Sequence, residues 1–388
     1  MIKQLSATKD ADAIFALSQF AFQYTLSAEA FEHKKQEAER HIIWGWMSDD
    51  ELAAKVHLIP LSCYINGKPF AMGGVSSVAT WPEYRRQGLV RKLLHHALTY
   101  MRQNGQTLSF LHPFSYAFYR RYGWEHAFSQ KQYSLPVTSL KRKWDVTGCV
   151  RRIDWDIHLL HDIYTEYAKR FNGTLIRDAK WWEERVLQEN WHKAVAYSAN
   201  GTAEGYILYK ATDKKLIIHE MVYNTLNARM LLLQFVGNHD SMVETVEMIV
   251  PENDNLALLL DEPSFEQKLS PYFMARIIDV SAFLKQYPFQ QGRQVSIVLH
   301  IDDEFLPEND GVYQLRQTGS ETNVTRLQSD AKSQKAIYCN VQYLTSMMLG
   351  FKRPNELYDA GLIHGEQDAV KQLNILIPGR QTFFPDFF

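Results

Sequence analysis

At 388 residues the chain exceeds one ordinary domain, and its 46% hydrophobic and 13% aromatic content supplies apolar side chains for two or three cores. A net charge of −2 without a Lys/Arg tract argues against a nucleic-acid surface, and no apolar run approaches membrane-spanning length. Cys63, Cys149 and Cys339 lie far apart without metal-ligand spacing, and MIKQLSATKDADAIF has neither a basic n-region nor an apolar h-region, so a cytoplasmic, reducing location is expected.

The first segment covers residues 1–145. Apolar residues recur at helical spacing from Asp10 to Phe31. LAAKVHLIPLSCY and KPFAMGGVSSVAT read as strands flanking Asn66-Gly67, a type I′ hairpin signal. From Val78 to Leu94, VATWPEYRRQGLVRKLL runs through a strand, a proline break, a basic loop and a helix whose Leu89, Leu93, Leu94, Ala97 and Met101 share one face. The start of such a helix offers unpaired N–H groups and the positive end of the macrodipole. Gly88 lets a ligand approach the backbone, and Arg85 and Arg86 add charge, which suits a phosphate-bearing molecule. The plain alternative is a strand–loop–helix turn with solvated arginines. The glycine spacing is neither a Walker loop nor a dinucleotide fingerprint. Gly105 should close the helix. TLSFLHP then reads as a buried strand, and SYAFYRRYGW (Ser115 to Trp124) as a short helical segment. Helices, a hairpin and a β–α–β unit make a mixed α/β domain.

Residues 146–285 repeat that order. HDIYTEYAKRF and KWWEERVLQ read as helices, EGYILYK and KLIIHEMVYN as paired strands, NARMLLLQFVGNH as a helix and VETVEMIVP as a strand. The loop position holds NTLNARM, without the glycine or the paired arginines, so a duplicated fold with a degenerate ligand site is expected. In residues 286–388, RQVSIVLHI reads as a strand, AIYCNVQYLTSMMLG as a strand leading into a helix, and NELYDAG and EQDAVKQLNIL as helices. The end, QTFFPDFF, is unusual because termini are ordinarily polar and frayed. It should either dock into an apolar cleft, carrying the Phe388 carboxylate, or merely staple the third segment. The 14 histidines form no ligand set, and no metal is expected.

The basic loop resembles the R/Q-x-x-G-x-G/A pyrophosphate loop of the GNAT superfamily, the acetyl-CoA-dependent N-acetyltransferases. Arg85 and Gly88 match, and Val90 stands where Gly or Ala is usual. Downstream, an aromatic-Tyr-x-x-x-Gly-aromatic pattern resembles the GNAT segment that sets a tyrosine beside the cofactor sulfur, with Tyr119 in that slot. One tyrosine among 20 would ordinarily be a packed residue; here loop and segment occur together, in order and at the right spacing. With the phrase YFMARIIDVSAFL (Tyr272 to Leu284) and the aromatic end, the whole chain resembles the Eis-type (enhanced intracellular survival) N-acetyltransferases.

That resemblance implies an α+β, mixed α/β fold: a catalytic GNAT domain at 1–145, a degenerate one at 146–285, and a sterol-carrier-protein-like domain at 286–388. It implies acetyl-CoA as co-substrate, small cationic amine acceptors of aminoglycoside or polyamine type, and a homohexamer. Carried over residue by residue, Val78, Ala79 and Thr80 line the acetyl-pantetheine arm through their backbone. Arg85, Arg86, Gln87, Gly88, Leu89, Val90 and Arg91 cradle the pyrophosphate, and Phe114 and Ser115 close over the pantetheine end. Tyr119 becomes the catalytic acid and the Phe388 terminal carboxylate the catalytic base.

The chemistry suits those roles. A phenol, with a reference pKa of about 10, is protonated near neutrality and can supply a departing thiolate with its proton. A terminal carboxylate, at about 3.3 to 3.7, is a weak base in water that burial among phenylalanines would strengthen. Asp386 and Glu32 are candidate pocket walls for a cationic acceptor, or else solvated carboxylates. Trp44 and Trp46 either stack on substrate or pack in the core. Two other functions remain open: a protein or peptide lysine acetyltransferase, and a non-catalytic protein that binds coenzyme A and an apolar ligand.

Overall fold

Asn66 and Gly67 have left-handed φ of 49° and 79°, as a type I′ turn requires, and join strands Glu51–Ile65 and Lys68–Thr80. The computed structural model describes residues 1–187, 190–319, 321–327 and 336–388. Around the hairpin, Ile2–Leu5, Ile42–Ser48, Glu51–Ile65, Lys68–Thr80 and Leu108–Leu111 follow one another in the sheet. The next strand is not from the same unit. Glu266–Ile277, the last strand of the second unit, pairs with Leu108–Leu111, and Glu125–Pro136, the last strand of the first, pairs with Thr245–Val250 of the second. Each unit thus lends its final strand to the other, and twelve strands form one continuous sheet.

The helical spacing expected over residues 10–31 resolves into two helices, Ala11–Phe22 and Ala28–Ala38. Gln23 ends the first in a left-handed conformation, and Ser27 caps the second by accepting from Ala30 N–H at 3.1 Å. Helix Leu89–Gln103 buries Leu89, Leu93, Leu94, Ala97, Leu98 and Met101, the face its periodicity marks. In the second unit Lys215–Tyr223, helix Leu226–Gly237 and Thr245–Val250 repeat the strand–helix–strand module, the two strands running parallel. The helix expected over KWWEERVLQ is only the short turn Ala179–Trp181 followed by a π-helical turn, Trp182–Val186; Gln188 lies outside the described residues.

A five-stranded sheet in the order Glu321–Leu327, Gly311–Gly319, Arg293–Asp302, Ala336–Asn340, His364–Gly365 builds the third domain, with helices Val341–Leu349, Pro354–Asp359 and Gln367–Leu376. One buried cluster ties all three parts together. It holds Phe110, Phe128 and Phe273 from the large sheet, Leu299 and Leu344 from the third domain, and Phe384 and Phe388 from the tail. Among the described residues no helix is long and apolar enough to cross a membrane.

Candidate active site

Strands Lys68–Thr80 and Leu108–Leu111 are paired only at Met72, Gly73 and Gly74, opposite Leu108, Ser109 and Phe110. Past Gly74 they part. On the other edge of Lys68–Thr80 the register slips: His57 faces Ser76 and Lys55 faces Ala79, so Ser77 and Val78 together oppose Val56. Ser77 takes a φ of 50° in this bulge. A β-bulge sharpens local twist and bends its strand, which is how the two parallel strands come to diverge. A cavity of about 480 Å³ opens in the wedge, lined by Val75, Ser76, Ser77, Val78, Tyr119 and Phe388 among others.

Beyond the proline break the chain turns through Arg86 (φ 63°) and Gly88 (φ 74°) into helix Leu89–Gln103. Gly88 is the N-cap; no side chain caps the first turn, and a Cβ on Gly88 would meet nothing within 4 Å. The first N–H groups therefore open onto free space, with Arg85, Arg86, Gln87 and Arg91 exposed around them. Arg85 Nε donates to the Thr80 carbonyl at 3.4 Å, tying the loop back to the strand. The corresponding helix of the second unit begins differently: Thr225 caps Leu226–Gly237 by accepting from Ala228 N–H at 3.1 Å, which occupies a donor a phosphate would need.

Ser115 caps helix Tyr116–Arg120, accepting from Phe118 N–H at 3.3 Å. That short helix turns Tyr119 inward against Phe118 and Trp124. The Tyr119 hydroxyl has no hydrogen-bond partner among the described residues. Burial pushes its phenol well above the ordinary value, so it keeps its proton.

The tail reaches the same cavity by a different route. Arg177, buried, donates from Nε to Asp386 at 3.0 Å and from both Nη atoms to Glu220 at 2.9 and 2.7 Å. Trp181 Nε1 donates to Asp386 at 2.7 Å, and Tyr206 donates to Glu220 at 2.6 Å. Burial pushes the Asp386 carboxyl up; burial acts the same way on Glu220, but the Arg177 charge and the hydrogen bonds from Arg177 and Tyr206 together hold that carboxyl below its usual range. With Asp386 fixed, Phe387 and Phe388 are delivered to the cavity, Phe388 packing on Phe273 and Phe384.

Comparison with known proteins bears on this geometry. Families described as acetyltransferase (GNAT) domain match residues 2–127 and 173–277, and a sterol carrier protein domain matches residues 280–385. The chain belongs to the GNAT acetyltransferases. Its three-domain arrangement is of the Eis type: the crystal structure of Eis1 from Mycobacterium abscessus aligns with all of both chains at a TM-score of 0.83 and 19% identity. A conserved protein of unknown function from Enterococcus faecalis V583 gives a TM-score of 0.93 at 27% identity, covering 100% of this chain and 99% of that one. An uncharacterized N-acetyltransferase of Streptomyces griseus is 22% identical over 355 residues, 84% of this chain and 83% of its own.

In this GNAT enzyme Val78, Phe114, Tyr119 and Phe388 all border the cavity. The Ala79 side chain joins the core cluster that holds Ile14 and Phe15 of the first helix, and Thr80 Oγ1 is buried without a partner among the described residues. Val90 packs into the core cluster, so its larger side chain leaves the phosphate cradle open. The Arg91 guanidinium lies 5.7 Å from the centroid of the Phe305 ring of the third domain. Ser115 spends its hydroxyl on the helix cap.

The wall residues are corrected. Asp386 is neither a solvated carboxylate nor part of the cavity lining; it is the buried anchor of the tail. Glu32 is exposed beside Lys35 and absent from the lining, where Glu37, five residues on and on a different face of the helix, stands paired with Arg185. Trp44 packs in the core against His96 and Tyr100, and Trp46 lies under Lys92. Sequence reasoning missed Lys34, His41, His57 and Arg185, all of which line the cavity. A signal was present for one of them: in the apolar strand LAAKVHLIP, Lys55 and His57 are charged or polar residues on one face.

Proposed function

We propose that this acetyltransferase moves the acetyl group of acetyl-CoA to a primary amine, with Tyr119 as general acid and the Phe388 carboxylate as general base. One observation carries the proposal: Tyr119 and Phe388, brought by unrelated parts of the chain, border a single cavity where the strands part beside the bulge. Acetyl-CoA supplies an activated acyl group on sulfur. Backbone N–H groups around Val78 polarise the acetyl oxygen, Tyr119 hands its proton to the sulfur, and the Phe388 carboxylate holds the amine and takes a proton from it. Holding the amine in line contributes more than base strength does.

The family resemblance favours a small cationic acceptor of aminoglycoside or polyamine type, and a homohexameric, cytoplasmic enzyme. The cavity lining favours a second reading of the acceptor. Lys34 and Arg185 border it, and Glu37 is already engaged by Arg185, so a densely positive molecule meets cations at the wall. An amine flanked by an anionic group, such as lysine in an acidic peptide, would find a partner there.

The test is coenzyme A release from acetyl-CoA with aminoglycosides, polyamines and acidic or neutral lysine peptides, using untagged and C-terminally extended protein. Acceptor-dependent release by the untagged form only is the expected result, and the preferred acceptor separates the two readings. Acetyl-CoA binding without release toward any acceptor would replace both with a non-catalytic binding protein.

A further inference from the structure

A continuous hydrogen-bonded chain of side chains that the mechanism above leaves unused runs from the cavity to the bulge. Lys55 and His57, two residues apart on strand Glu51–Ile65, are both buried, at 0% and 4% exposure. Lys55 Nζ lies 2.6 Å from Ser77 Oγ, 3.2 Å from the Ser77 carbonyl oxygen and 3.1 Å from His57 Nε2. His57 Nδ1 lies 3.3 Å from His41 Nδ1. His41, half-buried, lines the cavity, and its Nε2 has no partner among the described residues.

We propose, on the acetyltransferase reading, that His41, His57 and Lys55 are a proton relay that deprotonates the incoming ammonium group. His41 Nε2 accepts the ammonium proton while His41 Nδ1–H passes to His57 Nδ1 and His57 Nε2–H passes to Lys55 Nζ. The neutral amine then forms the C–N bond as the C–S bond breaks. The second nitrogen proton goes to the Phe388 carboxylate, which restores the proton Tyr119 gave to sulfur. Lys55 later returns its proton to solvent by the reverse path. The sum is one ammonium and one acetyl-CoA giving one amide, one thiol and one solvent proton.

Every hydrogen bond is satisfied in both states, which distinguishes a relay from a chance polar cluster. With Lys55 neutral, its two N–H groups serve Ser77 Oγ and the Ser77 carbonyl, and its lone pair accepts from His57 Nε2–H. With Lys55 charged, three N–H groups serve the same three atoms, and His57 Nδ1–H donates to His41. Burial brings Lys55 to about 7, so both states are accessible near neutrality. Burial, and then the charges of Arg40, Lys55 and Lys34, bring His41 to about 3, and burial and the charge of Lys55 also lower His57, so the proton crosses the imidazoles and rests on Lys55. The groups facing this chain are Lys34 and Glu37 from helix Ala28–Ala38, Tyr24 from the link before it, Arg40 beside His41, and Arg185 from Trp182–Val186. Glu37 is held by Arg185, which keeps it from taking over the relay's charge. His41 is the catalytic member; His57 and Lys55 act through it.

The experiment compares initial rates of wild type, His41→Gln, His57→Gln and Lys55→Met from pH 6 to 9.5, with KM for acetyl-CoA and thermal stability measured for each. Each variant should lose about 10²-fold in kcat near pH 7 with KM for acetyl-CoA unchanged. The deficit should shrink toward high pH, where the acceptor amine arrives neutral. A purely structural role would lower the rate equally at every pH. Should Lys55→Met fail to fold, the half-buried His41→Gln decides. A His41→Gln enzyme with wild-type kcat, or with a pH-independent deficit, overturns the relay while wild-type turnover keeps the acetyltransferase reading. Absence of acceptor-dependent release by the wild type overturns that reading and the relay with it.

Discussion

The ring of Phe388 rests on Gly74, the last residue at which the two parallel strands are still paired: a Cβ there would lie 2.8 Å from Phe388 Cε2. Gly74→Ala should therefore lift Phe388 out of its seat. Overpacking of this kind costs about 1–3 kcal/mol in stability. We expect turnover to fall about tenfold from misplacement near the chemistry, while acetyl-CoA affinity, set at the remote helix start, stays at the wild-type level. Calorimetric titration alongside turnover checks this; a fully active Gly74→Ala enzyme would show that the seat of Phe388 does not matter.

Asp386 gives a paired comparison. Asp386→Ala strands Trp181 Nε1–H and Arg177 Nε–H, both buried, and should cost about 1–3 kcal/mol as well as most of the turnover. Asp386→Asn keeps an oxygen acceptor at the same place and should retain most of both. Thermal denaturation and coenzyme A release of the two variants provide the check. Equal losses in both would mean that charge, not the hydrogen bonds to the tail, holds it in place.

Tyr119→Phe should lower kcat by about 10²- to 10⁴-fold, the ordinary contribution of a positioned acid. Because burial raises the Tyr119 phenol above its usual range, no loss of activity from its ionisation should appear below about pH 10. Rate profiles of wild type and variant measure both effects.

Much of this site was legible because its signals are local. Gly88 followed by an amphipathic run marks an uncapped helix start, and Asn66-Gly67 fixes a hairpin, each within a few residues. Neither expectation for Asp386, pocket wall or solvated carboxylate, holds, because Arg177, its partner, is 209 positions away in the chain. Glu32 stays off the cavity lining and Glu37 joins it because helical register, not composition, decides which carboxylate turns toward the cavity. The exchange of final strands has no local signature either, since Glu266–Ile277 reads as a strand whichever neighbour it takes.

Lys55 makes a stability prediction independent of catalysis. Its folded value of about 7 lies below the ordinary 10.5, so between those values the unfolded chain binds more protons and stability rises with pH. One such proton changes stability by about 1.4 kcal/mol per pH unit. Below pH 7 the penalty of charging Lys55 is complete. Lys55→Met removes this slope, so the stability difference between wild type and variant should move in favour of wild type from pH 7 to 9 in denaturant titrations. A constant difference would mean that Lys55 stays charged throughout.

The lending of Glu266–Ile277 to the first unit has a consequence for synthesis. When Glu125–Pro136 leaves the ribosome, the strand that must sit between it and Leu108–Leu111 has not been made. At about 5–20 residues per second the gap stands open for roughly ten seconds, with unpaired strand edges on both sides. The nascent chain is most vulnerable to misassembly in that interval. Translation speed and holdase chaperones should therefore affect the yield of this enzyme more than that of a protein whose domains close their own sheets.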